Sequence, residues 1–390
     1  MIKMTVISSL AKNDEFKIDI FDLEESRFYI GLNQNLIKNI KSKIAKNHGS
    51  INLFSKKINL PMGSLYTWFY RGEMPLSILK IIKKELTLSE GTIKNNFIYL
   101  KSGYYPRNNN GGNLSVPIYP KFPIILNKEL ARIIAHLFGD GCLSINKKGH
   151  FNVAYYNQSK DLMEQFIKDI QTTFNINKNN TKVNKGTPYF LIPSPIGKIL
   201  KHKINNFGSK TGNIPDFIKK ANENIRKEFL KSFFDDECHV KYKPPYRNIE
   251  LALANKKFLE DLKKMLDDLN INTTKIYYKQ QRDFDCYYFY IRGNKDLSKF
   301  YQKIGLTQPD KLKKLKEIIN NPGRKTYLQG ETKEEIVRLL KGQKFTSIQI
   351  AKKLYRSPCT INHFLKILEN KGRIKCIGKK NRFKLYQIKK

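Results

Sequence analysis

The sequence predicts an α+β protein with a duplicated αββαββα core of pseudo-two-fold symmetry, flanked by a helical N-terminal domain and by a C-terminal module of three helices and a strand pair. Three observations lead there. Residues 97 positions apart match in kind: Asp140 with Glu237, Gln158 with Asn255, Leu200 with Leu297, Ile204 with Tyr301, Phe207 with Ile304 and Gly208 with Gly305. Between residues 124 and 310, segments of helical period alternate with segments of period two. Helical spacing returns on both sides, in residues 35–100 and 334–368.

A chain of 390 residues is long enough for two or three domains whose cores need no disulfide. Its 73 Lys plus Arg against 34 Asp plus Glu leave a formal charge of +39, spread over the whole length, which points to a polyanionic partner. An AT-rich coding bias also inflates lysine, but such enrichment usually brings glutamate with it, and acids are scarce here. Cys142, Cys238, Cys286, Cys359 and Cys376 are odd in number and show no C-x-x-C spacing, as reduced thiols of a cytoplasmic protein would. The apolar run 4–10 is too short to span a bilayer and is followed by Lys12, Asp14 and Glu15, so neither a signal peptide nor a membrane partner is expected.

In residues 1–102, Leu36, Ile37, Ile40 and Ile44 fall at spacings of three and four, and Ile78, Ile81 and Ile82 repeat the pattern. Between them, Leu53–Ile58, a turn over Asn59–Gly63 and a segment Ser64–Gly72 capped by Ser64 resemble a helix-turn-helix DNA-binding unit. That resemblance puts Ser64, Tyr66, Thr67 and Tyr70 toward the groove and Leu65 and Trp68 inward; a helical hairpin without a DNA role is the competing reading. Residues 103–123 carry Asn, Gly and four prolines without periodicity and read as a linker.

The two repeats, 124–222 and 223–322, each read helix, two strands, helix, two strands, helix. The first runs 130–138, 143–145, 151–156, 162–174, 181–183, 189–192 and 196–207; the second runs 229–234, 239–242, 249–254, 258–269, 274–280, 287–291 and 297–304. In the strand 274–280, Lys275, Tyr277, Lys279 and Gln281 share one face, while Ile276 and Tyr278 share the other, expected to pack on helices. Residues 328–390 give helices at 334–340, 347–355 and 357–368, then two basic strands, which resembles a winged helix with Thr360, Asn362, His363 and Lys366 on its recognition helix. A winged helix used for protein contact is the competing reading.

Asp140 closes Ile133-Ile-Ala-His-Leu-Phe-Gly-Asp140-Gly, and Glu237 closes Phe229-Leu-Lys-Ser-Phe-Phe-Asp-Asp-Glu237. An apolar helix ending in an acid, followed by strands and repeated once, resembles the LAGLIDADG homing endonuclease family in its single-chain, two-motif form, over residues 124–315. The resemblance implies that the two motif helices pack about the pseudo-two-fold axis, with Ala135, Gly139 and Ser232 where small residues are needed. It also implies that Asp140 and Glu237 meet over the DNA minor groove and bind a divalent metal, Mg2+. Electrostatics agrees, because two carboxylates at neighbouring helix C-termini repel each other and both helix dipoles unless a cation intervenes.

By the same resemblance, Gln158 and Asn255, each 18 residues past its acid, help hold water or phosphate, although Asn255 also suits a helix N-cap. Lys210 and Lys311 correspond to the lysine that steadies transition-state charge. Duplex contacts are expected from the strands through Lys182, Lys185, Lys241, Lys243, Arg247, Lys275, Tyr277, Lys279, Gln281 and Arg282. The second motif departs from the pattern, with Asp236 in place of a small residue and Cys238 in place of glycine; His136 and Phe138 are unusual in the first. A zinc site from His136, Cys142, Cys238 and His239 has no ligand-pair spacing behind it.

The expected activity is metal-dependent hydrolysis of both strands of a pseudo-symmetric DNA site, by a monomer, since both motifs lie in one chain. The chain begins with Met1 and lacks terminal splicing residues, as a free-standing, intron-encoded enzyme would. The alternatives are a DNA-binding regulator that has lost cleavage and a maturase that binds structured RNA.

Overall fold

The computed structural model describes residues 16–23, 28–102, 116–145, 151–176, 188–204, 206–243, 246–280, 285–320, 331–380 and 383–389. They cluster into two compact units, residues 1–237 with 254–265, and residues 238–253 with 266–390. The architecture is α+β throughout. Among the described residues no helix is long and apolar enough to cross a membrane.

The first unit opens with β1 (Lys17–Ile18) and β2 (Phe28–Leu32), then α1 (Gln34–His48), α2 (Ile51–Lys57), α3 (Met62–Arg71), β3 (Glu73–Pro75), α4 (Leu76–Glu85), α5 (Glu90–Asn95) and β4 (Phe97–Ser102). The periodic Leu36, Ile37, Ile40 and Ile44 are all buried along α1, as their spacing predicts. A purely helical N-terminal region is not what forms, because β3, β2 and β4 make an antiparallel sheet. Gly31 is required in it: a Cβ there would lie 2.4 Å from the ring of its cross-strand partner Tyr99.

In the helix-turn-helix stretch, the turn is made by Asn59 at φ 53°, and α3 begins at Met62 behind Pro61. Ser64 and Gly63 therefore lie inside the helix instead of at its cap and turn. Proline at the N-cap, with φ already near the helical value, starts α3 three residues earlier than a Ser64 cap would. Leu65 and Phe69 are the buried residues of α3, with Trp68 half-buried.

The second part of the predicted linker is packed. Ile118 is buried and exchanges two backbone hydrogen bonds of 2.9 Å with Leu100, and β5 (Ile124–Ile125) pairs with β1. Apolar Ile118 and, just past the linker, Ile124 supply the packing that the proline-rich composition conceals.

The first repeat follows as α6 (Lys128–Phe138), β6 (Gly141–Ile145), β7 (Phe151–Tyr156), α7 (Lys160–Phe174), β8 (Tyr189–Ile192) and α8 (Ser194–Lys203), with sheet order β6-β7-β8. The strand expected at 181–183 lies outside the described residues. A short α9 (Asp216–Lys219) leads to α10 (Glu223–Glu237), the helix of the second motif.

The second repeat continues with β9 (His239–Lys243), β10 (Tyr246–Leu253), α11 (Lys256–Asp268), β11 (Tyr277–Gln280), β12 (Asp285–Arg292) and α12 (Asn294–Lys303). Its antiparallel sheet runs β11-β12-β10-β9. Beyond the duplicated elements, α13 (Pro309–Asn320) packs on β9.

The chain ends in α14 (Glu331–Leu340), β13 (Phe345–Thr346), α15 (Ser347–Lys353), α16 (Pro358–Asn370), β14 (Ile374–Lys380) and β15 (Phe383–Ile388), the order the sequence predicts with one short strand added. Ile336, Leu340, Ile350, Leu354, Ile361, Leu365 and Leu368 form one core from its helices.

Candidate functional site

The site is built where α10 packs along α6. Arg132 of α6 ties the helices together, with Nε and Nη2 donating to the two oxygens of Asp169 on α7 at 2.8 and 2.7 Å, and Nη1 donating to Glu228 on α10 at 2.8 Å. These partners hold its guanidinium firmly charged. Farther along, Ala135 and Ser232 are buried, and they are equivalents under the 97-residue offset.

At the next crossing point the equivalents Gly139 and Asp236 touch. A Cβ on Gly139 would lie 2.8 Å from both Cβ and Oδ2 of Asp236, so only glycine fits. Residues related by the repeat meet only near its axis, so Asp140 and Glu237, one position further in each copy, flank that axis.

The two acids are presented differently. Helix α6 stops at Phe138 and Gly139 caps it, so Asp140 stands beyond the helix, whereas Glu237 is the last residue of α10. Gly141 makes the early exit possible, since a Cβ there would sit 2.4 Å from the Leu137 carbonyl oxygen. The second motif has Cys238 at that position, and its helix continues to the acid.

Asp236, one of the residues that depart from the motif pattern, is the hub of the site. Its side chain is fully buried, with Oδ2 2.8 Å from His136 Nδ1, and Oδ1 accepting from the Tyr155 hydroxyl at 2.8 Å and from Asn157 Nδ2 at 3.1 Å. Burial pulls the His136 pKa down, but the charge and hydrogen bond of Asp236, with Asp235 and Asp169 behind, outweigh it and raise the value. Burial, then the Asp236 charge, pushes the Tyr155 phenol far up, so it stays a donor.

Asn157 also donates from Nδ2 to Asp140 Oδ2 at 2.9 Å, while its own Oδ1 accepts from Ser159 N at 2.9 Å. That second bond fixes which end of the amide faces the acids. One amide thus links the acid after α6 to a carboxylate of α10.

Several expected residues fall elsewhere. Gln158 is exposed, and its neighbour Asn157 is the one that reaches Asp140. Asn255 caps α11, accepting from Phe258 N at 3.1 Å and donating to the Gly212 carbonyl at 2.6 Å, so the capping reading holds. Lys210 lies exposed in the turn 209–211, and Lys311 lies in the first turn of α13.

Sequence reasoning misses Tyr155 and Asn157 altogether, and marks His136 and Asp236 only as departures from the motif, with His136 also a candidate zinc ligand. The only signal was that His136 and Asp236 both break the motif, which marks two exceptions that compensate each other. Among the described residues no group of three or more His, Cys, Asp or Glu is placed to hold a metal.

In the second unit, strand register decides which groups share a face. Asn248 is opposite Lys241, Glu250 is opposite both His239 and Tyr290, and Tyr277 is opposite Tyr288. Lys241, Tyr277 and Lys279 therefore project from one face, and Lys241 pairs with Glu250. On the same face, burial and then Lys241, Lys314 and Lys311 lower the pKa of His239.

Arg247 is on the opposite face, opposite Tyr242, with its guanidinium 5.7 Å from the Tyr242 ring centre and 5.4 Å from that of Tyr355. Tyr278, expected to pack on helices, is 54% exposed and donates to Asp285 at 2.8 Å, because it lies at the hairpin end. Lys243 ends β9; Lys182, Lys185, Gln281 and Arg282 lie outside the described residues.

In α3, Tyr66 and Tyr70 are exposed, and the Thr67 hydroxyl donates to the Gly63 carbonyl at 2.8 Å. In α16, Asn362, His363 and Lys366 are exposed, while Thr360 is drawn into the Ser357 cap, hydroxyl to hydroxyl at 2.7 Å.

The family model that matches is the LAGLIDADG-like domain, over residues 224–305. Curated relatives from Methanocaldococcus jannaschii include a glutamine–fructose-6-phosphate aminotransferase, 26% identical over 51% of this chain and 18% of its own, and a replication factor C small subunit, 26% identical over 54% and 11%. The chain spans less than a quarter of the curated relatives it matches.

Similar solved structures include the homing endonuclease I-DmoI in complex with DNA and Ca (16% identical, 49% of this chain and 97% of that one, TM-score 0.36) and I-WcaI bound to its DNA recognition sequence (20%, 49% and 87%, 0.34). Full-length DUF199/WhiA from Thermatoga maritima is a further one (13%, 62% and 90%, 0.33). Residues 224–305 of the chain are thus similar to a LAGLIDADG-like domain.

Proposed function

We propose that the protein is a site-specific, metal-dependent endonuclease that cuts both strands of duplex DNA. The observation that carries this reading is the contact of the repeat equivalents Gly139 and Asp236, which leaves Asp140 and Glu237 on either side of the repeat axis. Two carboxylates are the donor set that Mg2+ takes when phosphate oxygens and waters complete its shell, so the residues present fit that ion. A bound metal there would polarise the phosphate and acidify a water.

The chain's own groups have separable tasks. Asp140 and Glu237 would hold the metal, and Asn157 orients Asp140. Lys210 and Lys311 are the candidates to meet developing negative charge, with Gln158 exposed beside Asn157. Lys241, Lys275, Tyr277 and Lys279 offer the duplex a basic, aromatic sheet face. Tyr66, Tyr70, Asn362 and Lys366 extend the footprint from the flanking helices. With both acids in one chain, a monomer suffices.

A second reading, a DNA-binding regulator without cleavage, draws support from the second motif, where Asp236 and Cys238 stand in place of the small residue and the glycine of the pattern. The test is incubation of the protein with a DNA target library in Mg2+ or EDTA, for wild type, Asp140→Asn and Glu237→Gln. Mg2+-dependent double-strand cuts, abolished by either substitution while binding persists, are expected. Cuts that survive both substitutions overturn the assigned site; specific binding without cuts supports the regulator, and preference for structured RNA in competition supports a maturase.

A further inference from the structure

We propose that the four-stranded sheet of the second repeat is a stacking platform for unpaired bases, so that the protein binds a single-stranded stretch of nucleic acid there as well as a duplex. The register puts Tyr277, Tyr288 and Tyr290 on one face, on adjacent strands β11 and β12. The opposite face is spent on the core, through Ile249, Leu251, Phe289 and Ile291, all buried. The three tyrosines are half-buried and touch one another. The rings of Tyr277 and Tyr288 stack at 24° with centres 5.5 Å apart, Tyr290 stands edge-on to Tyr288 at 5.6 Å, and it lies 6.2 Å from Tyr277.

Cations ring this cluster. The ammonium of Lys275 is 5.6 Å from the Tyr277 ring centre and that of Lys241 is 5.9 Å from that of Tyr290; Lys279 follows Tyr277 on the same side of β11. Glu250 neutralises Lys241, which leaves Lys275 and Lys279 as the pair to track a phosphate backbone. Contiguous aromatic rings flanked by lysines suit one ligand chemistry best. A duplex keeps its base faces stacked inside and offers only edges in its grooves, whereas an unpaired strand offers base faces and phosphates together. Ribose and deoxyribose strands share that chemistry, and the experiment separates them.

This inference does not rest on hydrolysis, and its test runs in EDTA. Fluorescence anisotropy would compare a labelled mixed-sequence 12-mer as single-stranded DNA, as RNA and as duplex, for wild type, Tyr288→Ala and Tyr288→Phe, with the fold of each variant checked by circular dichroism. Stacking predicts that Tyr288→Ala weakens single-strand binding by about tenfold or more, that Tyr288→Phe, which keeps the ring, binds within about twofold of wild type, and that duplex affinity, which the lysines of this face carry, falls by clearly less than single-strand affinity. Ultraviolet crosslinking of the wild-type protein to the 12-mer, mapped by mass spectrometry, should place the adducts on Tyr277, Tyr288 or Tyr290, and this arm stands even where the alanine variant does not fold. Equal binding of DNA and RNA identifies stacking as the common source, and a preference identifies the sugar that adds to it. Absence of single-strand binding by the wild type, adducts confined to other segments, or equal weakening of duplex and single strand by Tyr288→Ala would overturn the proposal.

Discussion

His136 Nδ1 lies 2.8 Å from Asp236 Oδ2, between two side chains that solvent does not reach, one from each motif helix. A buried pair of this kind is worth little against an apolar pair, but breaking one half strands the other. Asp236→Ala is therefore expected to destabilise the fold by about 3–5 kcal/mol, and His136→Leu with Asp236→Ala by clearly less than the two single changes added. Urea unfolding of the four proteins in a double-mutant cycle measures this. Additive losses would show that the pair is not coupled.

The same pair sets a pH dependence. The folded pKa of His136 is raised above its ordinary 6.5, so its contribution to stability is complete below about that pH and is lost as pH rises through the folded value. Unfolding free energies of wild type and His136→Gln should converge on the alkaline side and stand furthest apart below about pH 6.5. A gap that widens with rising pH contradicts a charged His136.

Gly139 tests the closeness of the helices. A methyl group there meets Asp236 at 2.8 Å from atoms on a packed helix, so Gly139→Ala should cost about 1–3 kcal/mol through overpacking. Adding Asp236→Gly removes the obstructing side chain and should relieve the steric part of the loss. Thermal unfolding midpoints of the single and double variants decide it.

Asn157→Ala separates positioning from binding. With the amide gone, Asp140 loses its 2.9 Å donor, and metal affinity or turnover should fall by about 10–100-fold, the usual cost of losing a group that orients a ligand. Duplex affinity in EDTA should stay near wild type. Tb3+ luminescence titration of wild type, Asp140→Asn and Asn157→Ala reads metal affinity independently of cleavage, and an Asn157→Ala protein indistinguishable from wild type removes the residue from the site.

Arg247 should behave as an internal contact. Sandwiched between Tyr242 and Tyr355, it is expected to contribute about 1 kcal/mol to the second unit and little to DNA affinity, so Arg247→Ala should raise hydrogen exchange around the end of α15 and leave duplex binding within about twofold. A large loss of binding with unchanged exchange would return Arg247 to the DNA face.

The sequence by itself determined the order of most elements in the two repeats and in the C-terminal module, though not the N-terminal sheet β3-β2-β4. Local periodicity fixes which face of α1, α6 or α16 is apolar, and the 97-residue offset fixes which acid answers which, because both are properties of order along the chain. Tertiary structure alone decided which side chains meet. Asp236 collects His136, Tyr155 and Asn157 from 79–100 residues away, Asn157 displaces Gln158 as the group on Asp140, and a strand register sends Arg247 and Lys241 to opposite faces. None of these has a local signal, since a buried polar residue shows its purpose only beside the partners that satisfy it, and those are chosen by packing across the whole unit.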